Sequence, residues 1–300
     1  MGEDLQVEPL QTAAEAFWDI NVGKHREPFV HWESPEPIQQ KLNSLVTGSQ
    51  NLHPPGWFVQ KYGPFDTVAE LGCGDGVLAQ YLATSYPMKS LTAYDFSQAS
   101  LDASKQLCTG LDICTFQKID LNKEALPIAN YDAVFTTGTM HHIEALDFCF
   151  ASIAKSLKSS GLLWLNDYVG PDRFQWSDTQ MRLADELLAQ IPIKWRLKDH
   201  VERCDAKALA EMDPSEAVAP SKIEDALFAH FDVLKTFQRG GTLLAPIFGS
   251  SCLSREMADS NEGHDTLRRL FDEEQRLISS GIIKSTHNMY IARPRHTEIF

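Results

Sequence analysis

Short apolar runs punctuate the first half of this chain at 67–71, 91–95, 114–119, 131–136 and 162–166. Compact runs of this kind, with little polar alternation, suit strands buried on both faces. Between them lie stretches with helical spacing of apolar residues. One runs from about Val77 to Tyr86 and is stopped by Pro87, a second opens at Ser97, and a third covers about 145–158 with Gly161 soon after its end. Strand and helix alternating in this way predict an α/β fold, a mostly parallel sheet with helices on both faces. Further along, Ser177-x-x-Gln180 and Ser221-x-x-Glu224 read as capping boxes. Met181, Ala184, Leu187, Leu188 and Ile191 continue the first as a helix ended by Pro192. Two more strands are expected at 231–237 and 287–292, with a helix through Leu267, Leu270, Phe271, Leu277 and Ile278 before Gly281. Upstream, short helices are expected at 10–20 and 36–46. Around them, 21–40 is aromatic and proline-rich (Phe29, Trp32, Pro35), and 51–58 reads as irregular. That N-terminal stretch is either a lid or plain packing.

Composition narrows the classes. The chain has 300 residues, 43% of them hydrophobic, with a net charge of −14. Such a surface repels phosphate backbones and anionic headgroups, and no basic run or basic-aromatic stripe offsets it. The expected partner is therefore a small molecule, with no nucleic acid and no membrane; the pattern selects no oligomeric state. Cysteines 73, 108, 114, 149, 204 and 252 form no C-x-x-C pair or disulfide framework, which fits buried thiols in a reducing compartment. The acidic start of the chain lacks an apolar signal core, and position 6 lacks the Ser or Thr of a myristoylation motif. A cytoplasmic location is expected.

The first strand runs into Glu70-Leu-Gly72-Cys-Gly74-Asp-Gly76, and the second ends at Asp95, 19 residues after Gly76. Glycines let a backbone approach a ligand closely, and a carboxylate at the next strand end can hold a ribose diol. A nucleoside-bearing cofactor across two neighbouring strand ends is the result. Glu70 would oppose a pyrophosphate but favour an amino group or a sulfonium. From about Phe65 to Tyr168 the pattern resembles the class I S-adenosylmethionine-dependent methyltransferases. The resemblance implies a Rossmann-like seven-stranded sheet with S-adenosyl-L-methionine as cofactor. It places Glu70 at the amino end, Gly72 and Gly74 along the backbone path, Asp95 on the ribose and Phe96 over the adenine. Asp120 and Leu121 fall where this family meets the adenine amino group, and Thr137 lies beside the cofactor after the fourth strand. Asp120 has an ordinary alternative, capping the turn before Asn122.

Methyl transfer is an in-line displacement that needs alignment and, for a hydroxyl acceptor, removal of a proton. His142 or, failing that, His141 is the candidate base, at the carboxyl edge of the sheet where ligands sit. Asp167, just after the fifth strand, is the orienting carboxylate or a second base. Both histidines have a bracing role as the alternative. Tyr168, Arg173 and Trp176 are expected to line the acceptor pocket. No metal is expected: Thr136, Thr137 and Gly138 offer no carboxylate, and adjacent histidines are poor partners for one ion on a single helix face. The expected layout is an N-terminal helical/loop lid over 1–60, the cofactor-binding core over 61–192, a cap insertion over 193–225 and the rest of the core sheet over 226–300. The expected activity is methylation of a small polar acceptor, first a hydroxyl of a sugar or glycosylated metabolite. The alternatives are N-methylation of a small amine and a non-catalytic protein that binds S-adenosylmethionine or S-adenosylhomocysteine. Glu70 and the glycine spacing weigh against an NAD-dependent dehydrogenase.

Overall fold

The computed structural model describes residues 13–22 and 31–295. Phe29 and the first residues of the expected lid lie outside that range. Strands β1 (Thr67–Leu71), β2 (Ser90–Asp95), β3 (Cys114–Lys118), β4 (Tyr131–Thr137), β5 (Leu157–Tyr168), β6 (Phe231–Gly240) and β7 (His287–Pro294) form one sheet, in the order β3-β2-β1-β4-β5-β7-β6. The first five are parallel, and β7 runs antiparallel between β5 and β6. Every strand expected from the apolar runs is present. β1 and β2 are buried along almost their whole length, as a sheet covered on both faces requires, whereas the edge strand β3 is largely exposed.

The helices are α1 (Ala13–Asn21), α2 (Glu36–Thr47), α3 (Pro54–Tyr62), α4 (Val77–Ser85), α5 (Gln98–Leu107), α6 (Leu146–Ser156), α7 (Asp178–Leu188), α8 (Ala206–Met212), α9 (Ile223–His230), α10 (Leu244–Gly249) and α11 (Asn261–Ser279). The Ser97 and Ser177 caps form as expected, each side chain accepting from a backbone N–H three residues on. α6 and α9 cover one face of the sheet. On the other face Phe58 of α3 packs against Phe135 and Trp164, with ring centroids 5.3 Å away in both cases. Such pairs add about 0.5–1.5 kcal/mol each beyond burial. This aromatic stack also forms the floor under the site, because Trp164 lines the cavity above it. A separate apolar cluster joins Trp32, Ile38 and Leu42 to α7, α10 and α11.

Three local expectations are corrected. Residues 54–62 are helical, not irregular; Pro54 and Pro55 sit in the first turn, where a missing N–H costs nothing. Gly161 does not close α6 but lies within β5, where a Cβ would come within 3.0 Å of the Tyr131 and Lys158 carbonyls. Its backbone is needed to fit the register shift between Tyr131 and Ala133. The Ser221 capping box does not form: α9 starts at Ile223 with no side-chain cap, and the Ser221 N–H donates to Asp172 Oδ1. α11 begins at Asn261, capped by Ser260, so its polar first turns carry none of the apolar period seen later.

Candidate functional site

A cavity of about 1220 Å³ opens at the carboxyl ends of β1, β2, β4 and β5. Its cofactor half is made by consecutive strand ends. The loop after β1 is folded back so that the Gly72 and Cys73 N–H groups donate to the Tyr94 carbonyl at 2.8 and 3.0 Å. Gly72 has φ +68, and a Cβ there would lie 2.2 Å from Thr139 Oγ1. Gly74, at φ +55, faces open space on the cavity wall, a cradle any Cβ would partly fill.

Asp95 receives the Gly74 N–H at Oδ2 and the Ser97 N–H at Oδ1, both at 2.9 Å. Burial raises its pKa, and the backbone donors of Ser97, Gly74 and Phe96 oppose that rise. Each oxygen keeps a lone pair for a ribose hydroxyl. Glu70 is buried at the end of β1, and Phe96, Asp120, Leu121 and Thr137 all line the same cavity. Asp120 also does its ordinary work: Oδ1 accepts from the Asn122 N–H at 3.0 Å, and Oδ2 meets Lys123 Nζ at 2.7 Å. Burial raises its pKa, but these partners win and lower it. This donor set fits S-adenosylmethionine: acidic groups for its amino and hydroxyl groups, and glycine backbone where the ligand must pass.

The other half of the cavity is assembled from distant segments. Asp167, with no side-chain exposure, is saturated with donors. Its Oδ2 takes the N–H groups of Thr139 at 2.9 Å and Met140 at 2.7 Å, and its Oδ1 takes His141 Nδ1–H at 2.6 Å and the Tyr168 N–H at 2.9 Å. One carboxylate thus fixes the turn after β4 and the tautomer of its histidine. Burial alone would favour neutral His141, but the Asp167 charge and hydrogen bond, backed by Glu216 and Asp213, raise its pKa to about 9. His142 behaves oppositely. Burial, then the neighbouring His141 charge, lower its pKa well below the usual value. Its Nδ1 lies 3.2 Å from Ser215 Oγ, and its ring packs edge-on against Trp18 of α1. Glu216 stands across from both rings, 3.5 Å from His141 Nε2 and 3.9 Å from His142 Nε2. Burial raises the Glu216 pKa, and the His141 charge opposes this.

Tyr168 lines the cavity, as expected, but Arg173 and Trp176 do not. The Arg173 guanidinium is spent on carbonyls, donating to those of Glu216 and Pro214 at 2.6 Å each. Trp176 is buried beside Phe174, which takes the wall position instead. No signal in the sequence marks Glu216, Ser215, Glu33, Arg239 or His287. Arg239 makes a two-pronged ion pair with Glu33 at 2.9 and 3.1 Å and donates to Asn166 Oδ1 at 2.6 Å. His287 sits between Trp32 and Tyr168. These residues are far apart in sequence and carry no local motif.

Residues 69–163 match the family model described as a methyltransferase domain. An uncharacterized protein of Synechococcus is 30% identical over 120 residues, covering 39% of this chain and 29% of that protein. The malonyl-[acyl-carrier protein] O-methyltransferase of Anoxybacillus flavithermus is 30% identical over 131 residues, covering 44% of this chain and 46% of its own length. The chain thus spans less than half of these curated relatives. Among solved structures, Haemonchus contortus phosphoethanolamine N-methyltransferase 2, in complex with phosphomonomethylethanolamine and S-adenosylhomocysteine, has the same fold. The TM-score is 0.50 at 15% identity, over 93% of this chain and 60% of that one. Residues 69–163 thus match a methyltransferase domain, within a sheet that has the fold of an S-adenosylhomocysteine-bound methyltransferase. Among the described residues no helix is long and apolar enough to cross a membrane.

Proposed function

We propose that the protein transfers a methyl group from S-adenosylmethionine to a small polar acceptor, first a hydroxyl of a sugar or glycosylated metabolite. The observation that carries this is the His141–Asp167 pair, with Nδ1 held at 2.6 Å and the ring on the wall of the cavity. A hydroxyl must lose its proton as the methyl is transferred, and an imidazole whose far nitrogen is fixed by a carboxylate is built to accept it. His141, rather than His142, is therefore the base, with Asp167 the positioning residue that steadies the imidazolium. His142 stays neutral and stacks on its neighbour, ring centroids 4.1 Å apart. Trp18, Tyr168 and Phe174 supply flat apolar walls, and Ser215, Asn166 and His287 supply hydrogen-bonding groups, a mixture that suits a sugar. The described residues of 1–60 and the segment 193–225 act as a cap, since Trp18, Glu33 and Glu216 reach the cavity from them. The net charge of −14 supports a small acceptor over a nucleic acid.

A second reading, N-methylation of a small amine, draws support from the acidic lining, which includes Glu33, Asp167 and Glu216 with Arg239 already paired. Incubation with isotope-labelled donor and a metabolite extract tests both. The expected result is a product heavier by one labelled methyl on oxygen. A methylated amine would select the second reading. Donor binding with no labelled product from any extract would leave only a cofactor-binding protein.

A further inference from the structure

The two histidines after β4 are neighbours in sequence, which argues against their sharing a ligand on a regular helix. Here they occupy a single 3₁₀ turn, Met140–His142, and both point the same nitrogen at one carboxylate. The hydrogen bonds around them fix why. Asp167 can only accept, so His141 Nδ1 carries a hydrogen, and an ion that displaces the second proton meets the Nε2 lone pair on the cavity side. Ser215 Oγ donates to Asp213 Oδ1 at 2.7 Å, so it must accept from His142 Nδ1, and the His142 Nε2 lone pair is likewise left over. Opposite both stands the Glu216 carboxylate, itself an acceptor. The candidate ligand atoms of His141, His142 and Glu216 lie within 4.8 Å of one another. Three electron-pair donors therefore converge on one point of the cavity wall. Each histidine is backed on its other nitrogen by an oxygen, the outer arrangement found behind metal-bound imidazoles.

We infer that His141, His142 and Glu216 form a binding site for a divalent first-row transition ion of the Zn²⁺ or Co²⁺ type. Two imidazoles and one carboxylate suit such a borderline ion better than Mg²⁺ or Ca²⁺, which prefer all-oxygen shells. Ligand atoms around a tetrahedral ion with bonds of about 2.0–2.1 Å lie roughly 3.3 Å apart. The carboxylate spans both rings, with Oε1 3.5 Å from His141 Nε2 and Oε2 3.9 Å from His142 Nε2, close to that spacing. Arg173 holds the backbone of residues 213–216 from behind, so the carboxylate arrives on a braced loop. Three protein ligands leave coordination open toward the cavity, where an acceptor oxygen or water would bind and become more acidic. That role rests on the proposed methyl transfer to oxygen and would replace His141 as the base, since a coordinated Nε2 accepts no proton; the binding itself rests on neither.

Titration of the whole protein with Co²⁺, followed by visible absorbance, and with Zn²⁺, followed by calorimetry, tests the site with neither donor nor acceptor present. The expected result is one saturable site with micromolar or tighter affinity. Glu216→Gln and His142→Ala should each weaken it at least about tenfold, and Asp167→Asn about 10–100-fold. S-adenosylhomocysteine affinity serves as the check that each variant is folded. If Glu216→Gln fails that check, His142→Ala carries the test. Absence of a saturable site, or a site unchanged in both folded variants, overturns the inference. Methyl transfer by a protein that binds no metal would leave the proposed function standing, and metal binding without transfer would leave this inference standing alone.

Discussion

The two halves of the cavity are built in opposite ways. The cofactor half comes from Glu70 through Leu121, three successive strand ends and their loops, each next to the following one in the sheet. The acceptor half gathers Trp18, Glu33, His141, Asp167, Glu216, Arg239 and His287 from across the chain. The first offers a ligand backbone and a few carboxylates already engaged by their neighbours. The second concentrates buried ionisable groups whose protonation depends on one another. The cofactor half is thus a rigid local device, while the acceptor half works only if several remote elements arrive together.

The largest effect expected is on turnover. His141→Ala should lower it by about 10²–10⁴-fold while S-adenosylhomocysteine affinity, read by calorimetry, changes little. A matching loss of donor affinity would break the division between the halves. The pH profile sharpens it. In chelator-treated protein the base must be neutral, and Asp167 raises the His141 pKa to about 9, so the active form is the minor one at neutral pH. Turnover should rise roughly tenfold per pH unit and level off near 9. Asp167→Asn removes the charge that raises the pKa, so the rise should move down toward about 6.5. A wild-type profile flat between pH 6 and 9 would show that no such proton transfer limits the reaction.

A smaller effect is expected in the cofactor half. Asp95→Ala removes a carboxylate that organises the Gly74 and Ser97 amides and faces the ribose position. The loss of hydrogen bonds to a charged group corresponds to about 1.5–3 kcal/mol, or roughly 10–150-fold in S-adenosylhomocysteine affinity. Unchanged affinity would mean that the ribose lies elsewhere.

The same division explains what could be read from the sequence. All seven strands were visible, most clearly the inner β1, β2 and β4, because strands buried on both faces write themselves as short apolar runs. The candidate cofactor residues could be picked out because glycines and a strand-end acid keep fixed local spacing. Asp167 was visible from its place after β5, yet nothing near it in sequence says that it would choose His141 over His142. That choice is made by the turn after β4, whose two N–H groups Asp167 also holds. Glu216 sits in a charged, irregular stretch and was invisible, because its position comes from hydrogen bonds made by Arg173 rather than from any helix or strand. Arg173 stands off the cavity for the same reason: a cation after β5 looks like a substrate ligand until its carbonyl partners are seen.

Arg173 gives the smallest and most selective prediction. Its backbone sits at φ 52, its N–H donates to the Ala217 carbonyl at 2.7 Å, and its guanidinium reaches the carbonyls of Asp213, Pro214 and Glu216. The fork therefore sets where Ser215 and Glu216 stand. Arg173→Lys keeps the charge but replaces a rigid fork with a single point, which cannot hold three carbonyls at once. If Arg173 is a clamp, both Arg173→Lys and Arg173→Met should raise the acceptor KM a few-fold and speed proteolytic cutting within 205–217. Donor affinity should be unaltered, because the cofactor half shares none of these hydrogen bonds. The loop would lose about 1–3 kcal/mol of local stability. If Arg173 instead meets the acceptor with its charge, Arg173→Lys should retain most of the affinity that Arg173→Met loses, and proteolysis should not change. That second pattern would return Arg173 to the acceptor pocket and leave the position of Glu216 to be explained by the hydrogen bonds within 213–217 alone.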